Sequence, residues 1–84
     1  MATVPLVHEF PLSHLPAGMS ATVVQVLGAH DHVHRLHELG LQRGAALEMI
    51  QPGDPCIVRL HGAKYCFRGN EALRILVAVS GEVP

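Results

Sequence analysis

Seven of the 84 residues are histidine, and four of them, His30, His32, His34 and His37, crowd into a single short stretch. On an α-helix, at about 100° per residue, His30, His34 and His37 fall within about 60° of one another, with Glu38 alongside. Neutral imidazoles at i, i+3 and i+4 spacing can share one borderline divalent ion such as Zn²⁺ or Fe²⁺. His30, His34, His37, Glu38 and Asp31 are therefore the candidate metal ligands. Three imidazoles spread over two turns span too much distance for one tetrahedral ion. The expected core of the site is therefore a pair, His34 with His30 or His37, completed by Asp31, Glu38, water, an anion or a histidine of a second molecule. Such a site is weak and exposed, can be shared in a metal-bridged homodimer, and is not needed for folding, so no cofactor is obligatory. The same residues also read as a polar helix face that happens to use histidine.

Other chemistry has little support. There is no Gly-x-Ser-x-Gly elbow, no phosphate loop and no Gly-x-Gly-x-x-Gly. Asp54 lies in Pro-Gly-Asp-Pro, where an aspartate makes turns. Cys56 and Cys66 both fall in predicted strands, and a thiol buried in apolar surroundings is inert, so a structural role is expected for both. The chain is not expected to be an enzyme.

The histidine stretch must be held by a helix. Asp31–Leu39 has helical period: Val33, Leu36 and Leu39 recur every three residues as a buried stripe would, and Gly40 can stop the helix. Asp31 either caps the start or favours the positive end of the macrodipole. The segments around it are of strand length, punctuated by Gly and Pro. Ser20–Leu27 is rich in β-branched residues. Ala45–Gln51 alternates, with Leu47 and Met49 on one face and Glu48 on the other. Cys56–Leu60 and Lys64–Arg68 flank His61-Gly62-Ala63, a hairpin connection, and Ile75–Val79 is an apolar closing strand. A second helical turn is expected at Asn70–Arg74 with Asn70 as its N-cap. The reading is mainly β, a small antiparallel barrel with one helix after the first strand. Residues 1–11 have no clear period and are read as an N-terminal arm, followed by one domain over 12–84. Val24, Val26, Leu36, Leu39, Leu47, Met49, Phe67, Ile75 and Val77 are expected to supply much of the core, so that Leu39→Ala would cost about 2–5 kcal/mol.

Bulk properties narrow the function. The net charge is −1 with histidines neutral, which gives no overall electrostatic case for nucleic acid. Residues 1–58 hold two basic and five acidic side chains, and residues 59–84 four and two, a scatter typical of a solvated surface. Two cysteines are too few for a secreted disulfide scaffold, and no apolar run approaches the roughly 20 residues of a membrane span. A cytosolic protein with reduced thiols and no direct membrane insertion is expected.

One constellation is more specific than any of these features. Leu12-Ser-His-Leu-Pro-Ala-Gly18 is followed by Leu36-His-Glu-Leu-Gly-Leu41 and Gly44, then by Gly53-Asp54-Pro55, Gly62 and Cys66-Phe-Arg-Gly-Asn-Glu-Ala-Leu-Arg-Ile-Leu-Val77. In this order and spacing the chain resembles the FeoA family across roughly residues 12–79. The resemblance implies an SH3-like antiparallel β-barrel of about five strands with a short helix inserted after the first. It also implies an accessory role in bacterial ferrous-iron uptake, peripheral to the inner membrane, through the cytosolic GTP-binding part of the transporter FeoB. The same fold serves as an appendage of metal-dependent repressors, which is the alternative; the chain has no helix-turn-helix to support it. Arg43 stands where the family often has proline, and the histidine density exceeds the family pattern, so the metal reading stands on helical spacing alone. For the partner, Leu41, Gln42 and Arg43 are expected to form an exposed turn after the helix, a leucine displayed beside a cation.

Overall fold

Alternating apolar and polar residues build a six-stranded antiparallel sheet, which the computed structural model describes over residues 9–79. The strands are β1 (Phe10–Pro11), β2 (Ser20–Val26), β3 (Ala46–Gln51), β4 (Cys56–Leu60), β5 (Ala63–Phe67) and β6 (Ile75–Ala78), in the spatial order β1-β6-β2-β3-β4-β5. A short 3-10 turn, Leu12–His14, follows β1. The single α-helix among the described residues, α1 (His30–Glu38), follows β2, and a 3-10 helix, Gly69–Arg74, joins β5 to β6. The fold is mainly β, as the sequence pattern implies, and SH3-like, as the family resemblance implies. The sixth strand is β1, which pairs Phe10 with Val77 and Pro11 with Leu76, so the end of the expected arm is part of the sheet. The rest of that arm, and the end of the chain, lie outside the described residues.

β2 organises the sheet. Its first half, Ser20 to Thr22, pairs with β3, and its second half, Thr22 to Val26, pairs with β6. The register against β6 shifts between Val23 and Gln25, which leaves Val24 as the extra residue of a bulge. One strand thus serves two sheet halves, as a barrel requires, and the bulge pushes the Val24 side chain outward. β4 and β5 are joined by the two residues His61 and Gly62, one fewer than expected. Both have positive φ, +52° and +82°, the backbone that lets a two-residue turn follow the right-handed twist of its strands.

The core contains Leu47, Met49, Phe67, Ile75, Val77 and Leu36 from the expected set. Val26 is half-buried and packs against the core, Val24 is only half-buried, and Leu39 is 40% exposed. Their place is taken by Leu12, Leu15, Val23, Val58, Leu60 and Leu41. Leu12 and Leu15 flank the first 3-10 turn, which lies against the second 3-10 helix.

Leu39 and Leu41 exchange their expected roles for a clear reason. Positions three apart on a helix drift by about 60° per step, so a stripe of Val33, Leu36 and Leu39 rotates away from the core as it runs. The helix then ends in paired reverse bonds: the Leu41 N–H donates to the Leu36 carbonyl (3.0 Å) and the Gly40 N–H to that of His37 (3.0 Å). This is a Schellman motif, in which the second residue past the cap folds back onto the residue three before it. Leu41 and Leu36 are accordingly both buried, at 0% and 3% exposure. The exposed-turn expectation therefore fails for Leu41 and holds for Gln42 and Arg43.

The second 3-10 helix starts one residue earlier than expected, and Arg68, not Asn70, occupies its N-cap position. The Arg68 N–H donates to Glu71 Oε1 (3.4 Å), and the Glu71 N–H donates to the Arg68 carbonyl (3.1 Å). Asp54, from the turn between β3 and β4, accepts the Gly69 N–H at 3.0 Å. Asp54→Ala is expected to cost about 1 kcal/mol in a denaturant melt, while Asp54→Asn, which keeps an acceptor oxygen, should cost less. Equal losses for the two variants would show that this bond does not hold the two turns together.

Candidate functional site

α1 distributes its histidines over three surroundings. It starts after Ala29 with no side-chain cap, and Asp31 lies in its first turn, where its charge favours the positive end of the macrodipole. His30 and His34 stand one turn apart on the solvent side with stacked rings, centroids 6.4 Å apart and planes at 16°. His34 Nε2 lies 3.3 Å from Glu38 Oε2, and both side chains are about two-thirds exposed. His32 points elsewhere: its Nε2 is 3.7 Å from Glu71 Oε2, and the side chain is only a quarter exposed. This contact ties α1 to the second 3-10 helix. The spacing of the histidines does not reveal it, because Glu71 is distant in sequence.

His37 has a third setting. It joins Val24, Val26, Val33, Gln42 and Arg43 around a groove of about 430 Å³ between α1 and β2. The floor is apolar: Val24 from the bulge, Val26 and Val33, all half-buried. The rim is polar. Gln42 donates from Nε2 to the His37 carbonyl (3.3 Å), which already accepts the Gly40 N–H, so this bond fixes the Gln42 side chain against the helix end. Arg43 is exposed, and among the described residues it belongs to none of the ion pairs. It also borders an adjoining depression of about 350 Å³, where Glu9, Val24 and Gly44 contribute to the wall.

The expected metal ligands are thus not gathered at one point. Among the described residues, no group of three or more His, Cys, Asp or Glu side chains is placed to hold a metal ion. His30, His34 and Glu38 share one row of the helix, whereas His37 lies at the groove. Gln42 and Arg43, two of the three residues expected at the partner surface, sit at a concave surface. The residues that sequence reasoning missed are its floor, Val24, Val26 and Val33, all of which read as buried.

The cysteines separate as well. Cys56 pairs with Phe67 and Cys66 with Ile57 across β4 and β5, so the two thiols point to opposite faces. Cys56 is fully buried, and burial pushes its thiol pKa up, which keeps it protonated and unreactive. Cys66 is exposed and is not the buried structural thiol expected of it. Among the described residues no helix is long and apolar enough to cross a membrane.

Over residues 10–79 the chain matches the family described as the FeoA domain. Among solved structures it is similar to the FeoA protein of Chlorobium tepidum, with 38% identity and a TM-score of 0.75, covering 87% of this chain and 73% of that one. It is also similar to the FeoA protein of Stenotrophomonas maltophilia, described as a prokaryotic SH3 domain protein complexed with zinc, with 36% identity and a TM-score of 0.69, covering 80% and 87%. The IdeR protein of T. acidophilum shares the fold at 22% identity and a TM-score of 0.79, and this chain spans 37% of its length. No curated protein sequence matches the chain.

Proposed function

The chain belongs to the FeoA family, and on that premise we propose that it is a non-catalytic accessory protein of bacterial ferrous-iron uptake that docks on the cytosolic GTP-binding part of the membrane transporter FeoB. The observation that carries this reading is the groove between α1 and β2. A small domain that exposes apolar side chains in a concavity, rimmed by an exposed cation, is suited to receive a protein partner. Val24, Val26 and Val33 would take an apolar side chain of the transporter. Arg43, with no acidic partner of its own among the described residues, would meet a carboxylate next to it. His37 and Gln42 close the end of the groove. This replaces the exposed leucine of the sequence reading with a pocket that accepts a leucine-like group. On this reading the protein works in the cytoplasm, beside the inner membrane.

The test is a calorimetric titration of the chain with the cytosolic part of the transporter. Arg43→Glu and Val26→Asp, each shown to remain folded, are expected to weaken binding at least about tenfold. Lys64→Glu, an equal charge reversal on exposed β5, is expected to leave it unchanged. Undiminished binding by both groove variants would remove this surface from the account. A regulatory appendage of a repressor is the other reading, and the likeness to IdeR supports it only at the level of fold.

A further inference from the structure

We infer that His30 and His34 form a two-imidazole chelate for one borderline divalent cation, a site separate from the docking groove. The helix supplies the arrangement. Residues four apart lie one above the other on the same face, with Cβ atoms about 5–6 Å apart. The His30 and His34 rings are already stacked and nearly parallel, at 6.4 Å and 16°. Two imidazoles on one tetrahedral ion, with metal–nitrogen bonds of about 2.0–2.1 Å, hold their centroids about 5 Å apart. In-plane lone pairs of stacked rings do not converge, so binding must both close that difference and rotate the rings towards one point; both side chains stand in solvent, and their side-chain torsions allow this without moving the backbone.

The neighbours of the pair favour a cation. Glu38, with Oε2 at 3.3 Å from His34 Nε2, places a carboxylate beside one of the ligands. A carboxylate against a ligating imidazole orients the ring and raises its basicity. Asp31 adds a second negative charge in the first turn of the helix, and Arg35 is the one cationic side chain of α1. Because no third His, Cys, Asp or Glu closes on the same point among the described residues, the remaining positions of the ion belong to water. The chelate is therefore open and exchangeable. It takes the class of ion that imidazole prefers, such as Zn²⁺, Cu²⁺ or Ni²⁺, over the oxygen-seeking Mg²⁺ and Ca²⁺.

The experiment is a calorimetric titration of the whole chain with zinc chloride at neutral pH, together with NMR of the histidine ring protons. The expected result is one ion per chain, with zinc-dependent changes concentrated on His30 and His34. His30→Ala and His34→Ala should each weaken binding at least about tenfold, because either one converts a chelate into a single imidazole. His14→Ala, His37→Ala and His61→Ala should leave the affinity within about twofold. No binding by the parent chain would overturn the inference. So would a His37→Ala loss as large as that of His30→Ala, or unchanged binding by both His30→Ala and His34→Ala. Because the readout is zinc alone, failure here leaves the transporter titration of the groove variants standing, and the reverse also holds.

Discussion

Replacing Leu41 with alanine is expected to destabilise the fold by about 2–5 kcal/mol, the range for emptying a fully buried leucine site. Leu41 is 0% exposed although it lies in a connection just past the helix. Its backbone N–H closes the Schellman motif on the Leu36 carbonyl, and both side chains enter the core there. α1 fully buries only Leu36 of its own residues, so the Leu36–Leu41 pair carries much of its attachment to the sheet. Leu39→Ala, two positions away, should cost less than about 1 kcal/mol because that side chain is largely in solvent. Denaturant melts of the two variants make the comparison. A larger loss for Leu39 than for Leu41 would mean that the helix end is packed the other way round.

The second large effect is expected at Gly40. Its φ is +106°, a backbone conformation that costs an L-residue about 1–3 kcal/mol. A Cβ there would also lie 2.8 Å from Cδ2 and 3.0 Å from Nε2 of the His61 ring, which rests on the helix exit from the turn between β4 and β5. Gly40→Ala should therefore lower stability through two separable causes. His61 is exposed and its ring can move, so adding His61→Ala should recover the steric part and leave the backbone part. Full recovery in the double variant would show that the backbone conformation at Gly40 is not strained for alanine. No recovery at all would show that the ring contact adds nothing.

Leu39 and Leu41 also show how far the sequence could be read. Apolar spacing on α1 marked the helix and its end, and Gly40 was legible as the stop. The three-residue spacing assigned the wrong leucine to the core because it follows the helix and not the chain reversal after it. The signal was nevertheless present: leucine, two residues, leucine again, glycine, leucine is the pattern in which the residue after the glycine returns to the helix. The strands were legible from alternation, and β4 has the bounds its apolar pattern implies. β1 was not, because two residues ending in proline carry no period, and their pairing partner is distant in sequence.

The candidate site was legible only in part, for related reasons. Histidine spacing marks a face, but what each ring meets is set by other elements: Glu71 for His32, and β2 for His37. The groove floor depends on a bulge that turns Val24 outward, and no residue type in β2 announces it. Val24 and Val26 read as core because a valine in a strand reads the same way whether it faces the interior or a cleft. Gln42 and Arg43 are exposed as expected because both are polar and follow the chain reversal that buries Leu41.

The central claim, that this chain works by docking a partner in the groove between α1 and β2, is tested most directly by mapping backbone amide shifts of the isotope-labelled chain as the cytosolic part of the transporter is added. The account predicts that the largest changes fall on Val24, Val26, Val33, His37, Gln42 and Arg43, while β4 and β5 stay nearly unmoved. Binding whose shifts concentrate on β4 and β5, with those six residues silent, would contradict it.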